Sequence, residues 1–169
     1  MPPLVLDGTN GVSGVDGTAS NPSYEGTDSN TGIFYPAADT IAFATSGTED
    51  MRIDSTGRVT IQMASNGALV ALTSSAGSIA VNLNLANNFT HTTTENTTLA
   101  NPTNMTPGQY GVIVITQGAT PRTMAFGSFW DFSNGGVPSL TPTASAVDVI
   151  AFYVSSSTKI ITNFLPDVK

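Results

Sequence analysis

No stretch of this sequence repeats apolar residues at the 3.6-residue spacing of an amphipathic helix. Apolar residues recur instead at every second position, in runs of about four to six residues separated by turn residues. Thr40-Ile41-Ala42-Phe43-Ala44-Thr45 puts Ile41 and Phe43 on one face, and residues 58–63 alternate in the same way. Residues 110–116, 147–154 and 159–165 are longer and rich in Val and Ile, and the first of these reads as a strand buried on both faces. The pattern predicts an all-β chain.

The runs are unevenly distributed. Residues 1–32 are rich in Gly, Asp, Asn, Thr and Ser, with turn dipeptides at Asp7-Gly8, Asn10-Gly11 and Asp16-Gly17 and isolated Val5, Val12 and Val15. Such a segment buries little by itself, and two readings stay open: a disordered tail, or an extended arm that orders only against neighbouring chains. Residues 32–63 carry short strands too narrow to hold a sheet alone. Burial of Ile33, Phe34, Ile41, Phe43, Met51, Ile53, Val59 and Ile61 between chains would solve that problem. These considerations predict an amino-terminal arm and β-stem over residues 1–63. A small-residue linker with one short strand follows at 64–78, and a carboxy-terminal antiparallel β-sandwich, jelly-roll-like, at 79–169. In that last unit Val81, Leu83 and Leu85 are read as one alternating strand, residues 133–146 as a long loop, and residues 155–158 as a hairpin turn.

Charge excludes several partners. Charged residues make up 10% of the 169 residues, against roughly 25% in an ordinary soluble domain. The net charge is −7 and the five basic residues (Arg52, Arg58, Arg122, Lys159 and Lys169) form no cluster. Binding to nucleic acid or to an anionic membrane surface needs clustered Lys and Arg, so neither is expected. The first residues lack a basic and apolar leader pattern, and no apolar run approaches the roughly 20 residues that span a bilayer. No signal peptide and no membrane insertion are therefore expected. The absence of cysteine removes disulfides, thiolate nucleophiles and Cys-ligated metals together.

Candidate chemistry is sparse. His91, the single histidine, has no Asp, Ser or Cys companion nearby and reads as a strand residue facing a surface or an interface. Glu49 and Asp50 with Asp54, or Asp28 with Asp39, supply oxygen ligands of the type calcium takes, but at no recognised calcium-loop spacing. Phosphate-loop, nucleophile-elbow and zinc-protease motifs are absent from the sequence. Trp130, with Phe129 and Phe132, reads as core, with a sugar-stacking platform as the alternative. Asn88, Asn96 and Asn104 open glycosylation sequons that composition alone would generate. The expectation is a chain with no catalytic, cofactor-binding or metal-binding residues, and so no enzyme and no cofactor.

Two stretches carry a resemblance. Residues 23–62, through Thr31-Gly32-Ile33, Pro36-Ala37-Ala38, Ala42-Phe43 and Met51-Arg52-Ile53-Asp54, resemble a module recurring in fibre and virion structural proteins of tailed bacteriophages, as does the lead-in at residues 7–17. More loosely, residues 89–99, Gly111 to Gln117, 126–132 and 147–153 are similar to a carboxy-terminal β-domain of phage tail and virion proteins. The resemblance implies a non-enzymatic homotrimer located in the virion, a fibre or spike projecting from the particle. Its partners would be itself, other capsid or tail proteins and a host surface glycan. For a short chain starting at Met1, a capsid cement or decoration protein clamping threefold positions is the alternative, and a carbohydrate-binding module the third reading.

Overall fold

A computed structural model describes residues 5–7 and 11–168. The described residues are almost wholly strand and turn, with one short 3₁₀ turn at Ser133–Gly135. The chain divides into two compact units, Met1–Asn66 and Gly67–Lys169.

The first unit begins with two small hairpins, β1 (Val5–Asp7) with β2 (Gly11–Ser13) and β3 (Gly17–Thr18) with β4 (Asn21–Pro22). Gly17 has φ +73°, and a Cβ there would strike the backbone of Pro22 and Ser23, so the turn requires glycine. An antiparallel meander of five strands follows: β5 (Tyr24–Glu25), β6 (Gly32–Phe34), β7 (Ile41–Thr45), β8 (Thr48–Ile53) and β9 (Val59–Ile61). The segment read as a tail or an arm ordered only by neighbours has partners within its own chain. Asp16 O accepts from Tyr35 N at 2.8 Å and Asn30 O from Gly47 N at 2.8 Å. The expected turn at Asp7-Gly8, the one at Asn10-Gly11 and the leader-free start at residues 1–4 fall wholly or partly outside the described residues.

In the second unit the strands are β10 (Leu69–Ala71), β11 (Ser74–Ser75), β12 (Ser78–Ile79), β13 (Asn88–Thr92), β14 (Thr97–Leu99), β15 (Tyr110–Thr116), β16 (Met124–Phe126), β17 (Trp130–Asp131), β18 (Val147–Ser156) and β19 (Lys159–Leu165). They form a six-stranded sheet, β10-β13-β15-β18-β19-β17, and a four-stranded sheet, β11-β12-β14-β16. The chain alternates between the two, so that β10, β13 and β15 stack parallel in one sheet while β12, β14 and β16 stack parallel in the other. A parallel bridge between Asn82 and Thr103 adds a third line of contact. The arrangement is a short winding coil of the kind found in β-solenoids, closed on one side by the antiparallel β18–β19 hairpin. Both sheets feed one buried cluster, with Phe89, Ile113, Ile150 and Ile160 from the larger and Ile79 and Leu99 from the smaller, each 0% exposed.

Three expectations need correction. The second unit is not antiparallel and not a jelly roll, because only the β11–β12, β15–β18 and β18–β19 pairs run antiparallel. The expected linker at 64–78 is mostly structure, since β10, β11 and the start of β12 belong to the sheets of a unit that opens at Gly67. The alternation of Val81, Leu83 and Leu85 does not continue as a strand. Asn82 Oδ1 accepts from Asn84 N, and the chain turns there, leaving Val81 and Leu83 buried but Leu85 58% exposed.

Candidate interaction surfaces

Pairing register sorts the side chains of the five-stranded sheet onto two faces, because residues directly opposite one another on paired strands share a face. Tyr24, Ile33, Phe43, Met51 and Ile61 form one row, and Ile41, Ile53 and Val59 the row beside it. Both rows lie on the same face, and every member is apolar or aromatic. Tyr24, Val59 and Ile61 are 70%, 57% and 49% exposed, Ile41 and Ile53 are also exposed, and Ile33, Phe43 and Met51 are half-buried.

The opposite face carries the small intrachain core. Phe34, Ala42 and Ala44 are buried there, with Ala19 packed against them, and these three are the buried hydrophobic residues of the unit among the described residues. Phe34, expected between chains, is therefore an intrachain core residue. The other seven stem residues named from the sequence lie together on the open face.

The carboxylates considered for calcium are engaged by protein donors instead. Glu49 accepts two hydrogen bonds from the Arg52 guanidinium, one at 2.6 Å from Nη2, and a further one from Gln62 Nε2. The Arg52 bonds hold its carboxyl below the usual range, against the opposing effect of partial burial. Asp54 Oδ1 accepts from Thr56 Oγ1, Thr56 N and Arg58 N, closing the β8–β9 turn. The Thr56 hydroxyl contributes most to lowering the Asp54 pKa. Asp50 accepts from Thr45 Oγ1, and Asp28 from Thr31 Oγ1 and Asn30 N. No group of three or more potential metal ligands occurs among the described residues.

In the second unit the polar side chains of interest are buried. Gln117, 2% exposed, uses its whole amide: Oε1 accepts from Thr93 Oγ1 and Arg122 N, while Nε2 donates to Arg122 O and Thr141 O. Asp148, 0% exposed, accepts from Thr141 N, Thr141 Oγ1 and Asp167 N, which pins the long loop and the carboxy-terminal segment to β18. Neither residue was singled out as a site by sequence reasoning. The only available signal was a polar residue at an inward position of an otherwise apolar run. His91 faces neither a surface nor an interface. It is 4% exposed, donates from Nδ1 to Leu72 O at 2.9 Å, and leaves Nε2 without a hydrogen-bond partner.

Trp130 is 5% exposed, donates from Nε1 to Ala100 O and meets the Phe152 ring edge-on at 6.4 Å. Phe132 stacks edge-on against Phe126 at 4.7 Å. The aromatic cluster is core, and the sugar-platform reading of Trp130 is set aside. Asn96 accepts from Thr123 N and Asn104 donates to Asn82, so two of the three sequon asparagines have structural roles. An open cleft of about 630 Å³ lined by Leu83, Asn84, Asn87, Thr106 and Gln109, among others, holds no ionisable side chain. No helix among the described residues is long and apolar enough to cross a membrane. Comparison with protein-family models, with curated proteins and with solved structures finds no match to this chain.

Proposed function

We propose that this chain is a non-enzymatic structural protein of a bacteriophage virion, a homotrimeric fibre or spike. Its first unit is the stem, and its second unit, two sheets sandwiching one core, is the head. The observation that carries the reading is the apolar face of the five-stranded sheet. A unit of this length with so small a core of its own cannot offset the entropy of ordering its backbone. Burying Tyr24, Ile41, Ile53, Val59 and Ile61 against other copies removes a large apolar patch from water, at about 25 cal/mol per Å². The patch carries no charged side chain, so copies with a net charge of −7 meet there without like-charge repulsion. The resemblance of residues 23–62 to virion modules supports the placement on a phage particle, with other virion proteins and a host surface as its outer contacts.

Light scattering on the purified full chain tests the reading. A mass of three times 17.4 kDa is expected. A monomer at micromolar concentration refutes it.

A further inference from the structure

The outward side of the six-stranded sheet in the second unit repeats the character of the stem face on a separate fold. Strand alternation sends Phe89, Ile113, Ile115, Ile150 and Ile160 inward, where they are buried. The intervening residues face out. Tyr110, Tyr153 and Ile161 form one outward row, 70%, 47% and 52% exposed. Val112 and Ala151 stand in the next row with Leu69 at its end, which is 64% exposed, and Val114 and Val149 lie in the row beyond with Leu165, 42% exposed. The charged side chains on this face are Asp131 and Lys159 at one corner, and they neutralise each other at 3.0 Å.

We propose that this face is a second homotypic contact, covered in the assembly by further copies of this chain. The inference rests on the homotrimer reading and extends it from the stem to the head. The occupant is a copy for two reasons. The aliphatic residues offer no hydrogen bonds to a glycan, and exposed tyrosines beside aliphatic side chains are typical of protein contacts. The face has no net charge on a chain that carries −7, so it is a surface where identical acidic chains approach without repulsion and without charge to select a different partner.

The chain has no cysteine, so single thiols report on each face separately. Tyr110→Cys places one on the head face and Tyr24→Cys one on the stem face, each at a position 70% exposed in the lone chain. Thr158→Cys, on the exposed β18–β19 turn, is the control. In the purified full chain only another copy can shield the first two. Maleimide labelling of both at least tenfold slower than the control, with all three rates equal in denaturant, is the expected result. Protection at Tyr24→Cys with control-rate labelling at Tyr110→Cys overturns this inference and leaves the trimer standing. Control-rate labelling at both, with a monomeric mass, removes the trimer reading and this inference together. Leu69→Cys repeats the measurement at the far side of the sheet, and protection there is required as well if Tyr110→Cys lowers the mass.

Discussion

Phe34 and Phe43 sit on neighbouring strands of one sheet and point to opposite faces, Phe34 into the small core with Ala42 and Ala44, Phe43 onto the open apolar side. Two phenylalanines of the same short segment thus answer to different partners. Phe34→Ala empties most of the intrachain core and is expected to destabilise the first unit by about 3–5 kcal/mol, the usual cost of a buried Phe truncation. Phe43→Glu is expected to leave the single-chain fold and reduce the mass from trimer to monomer. Circular dichroism melts with light scattering separate the two effects, and identical behaviour of both variants would contradict the assignment of faces.

Trp130 fills the core of the second unit against Phe152 and is bonded to Ala100 O. Trp130→Ala should cost roughly 3–5 kcal/mol of stability without any separable loss of glycan binding. A well-folded Trp130→Ala protein with an unchanged denaturant midpoint would show the residue to be dispensable to the core.

Gln117 ties three segments through four hydrogen bonds. Gln117→Leu leaves Arg122 N, Arg122 O and Thr141 O without this partner, and burying such groups unpaired costs about 1–3 kcal/mol each. The expected signature is accelerated amide hydrogen exchange over residues 117–123, measured by mass spectrometry, before any global unfolding.

Acid should weaken the first unit. Glu49 and Asp54 both titrate below their ordinary values of 4.5 and 3.8 in the folded chain. A carboxylate depressed by folding stabilises where it is ionised. The contribution is complete above those ordinary values and is lost as pH falls through the folded ones. Asp54→Asn is expected to melt below wild type at neutral pH and to converge on it near about pH 2.5. A gap that stays constant across that range would exclude the carboxylate as the source.

Gly111 lies in β15 with the carbonyl of Asn87 against it, and an added Cβ would overlap that oxygen. Gly111→Ala is expected to displace the coil connection at residue 87 and lower the yield of folded protein, read by size exclusion. Ala at Gly57, where nothing lies near the Cβ position but φ is +78°, should cost only the smaller penalty of backbone strain.

Much of this architecture was legible in the alternation. Ile41 with Phe43 and Ile53 with Val59 fell on one face as the period of two requires, and the absence of charge from that face pointed to a contact between chains. The parallel coil was not legible. Nothing in Asn88-Phe89-Thr90-His91-Thr92 says whether its neighbours run with it or against it, because a strand's own sequence specifies its faces and not its pairing direction. The turn at Asn82-Asn84 was missed for a local reason, an asparagine side chain competing with the ladder for a backbone N–H. Asp148 and Gln117 were hidden because the groups that satisfy them come from loops distant in sequence.

The winding of the second unit also governs how quickly it can form. Leu69 pairs with Asn88 and Asn88 with Val112, so each parallel contact must first close a loop, and strands of this kind fold slowly. The β18–β19 hairpin is different, since its strands are joined by a tight turn and it can close in microseconds. The last strands of the chain are thus the natural seed on which β15, then β13, then β10 are laid down. During synthesis that seed emerges last, and the earlier coils wait for it with their edges open. Loss of the carboxy-terminal hairpin would therefore stall the unit as an aggregation-prone intermediate, while loss of β10 would only shorten the finished coil.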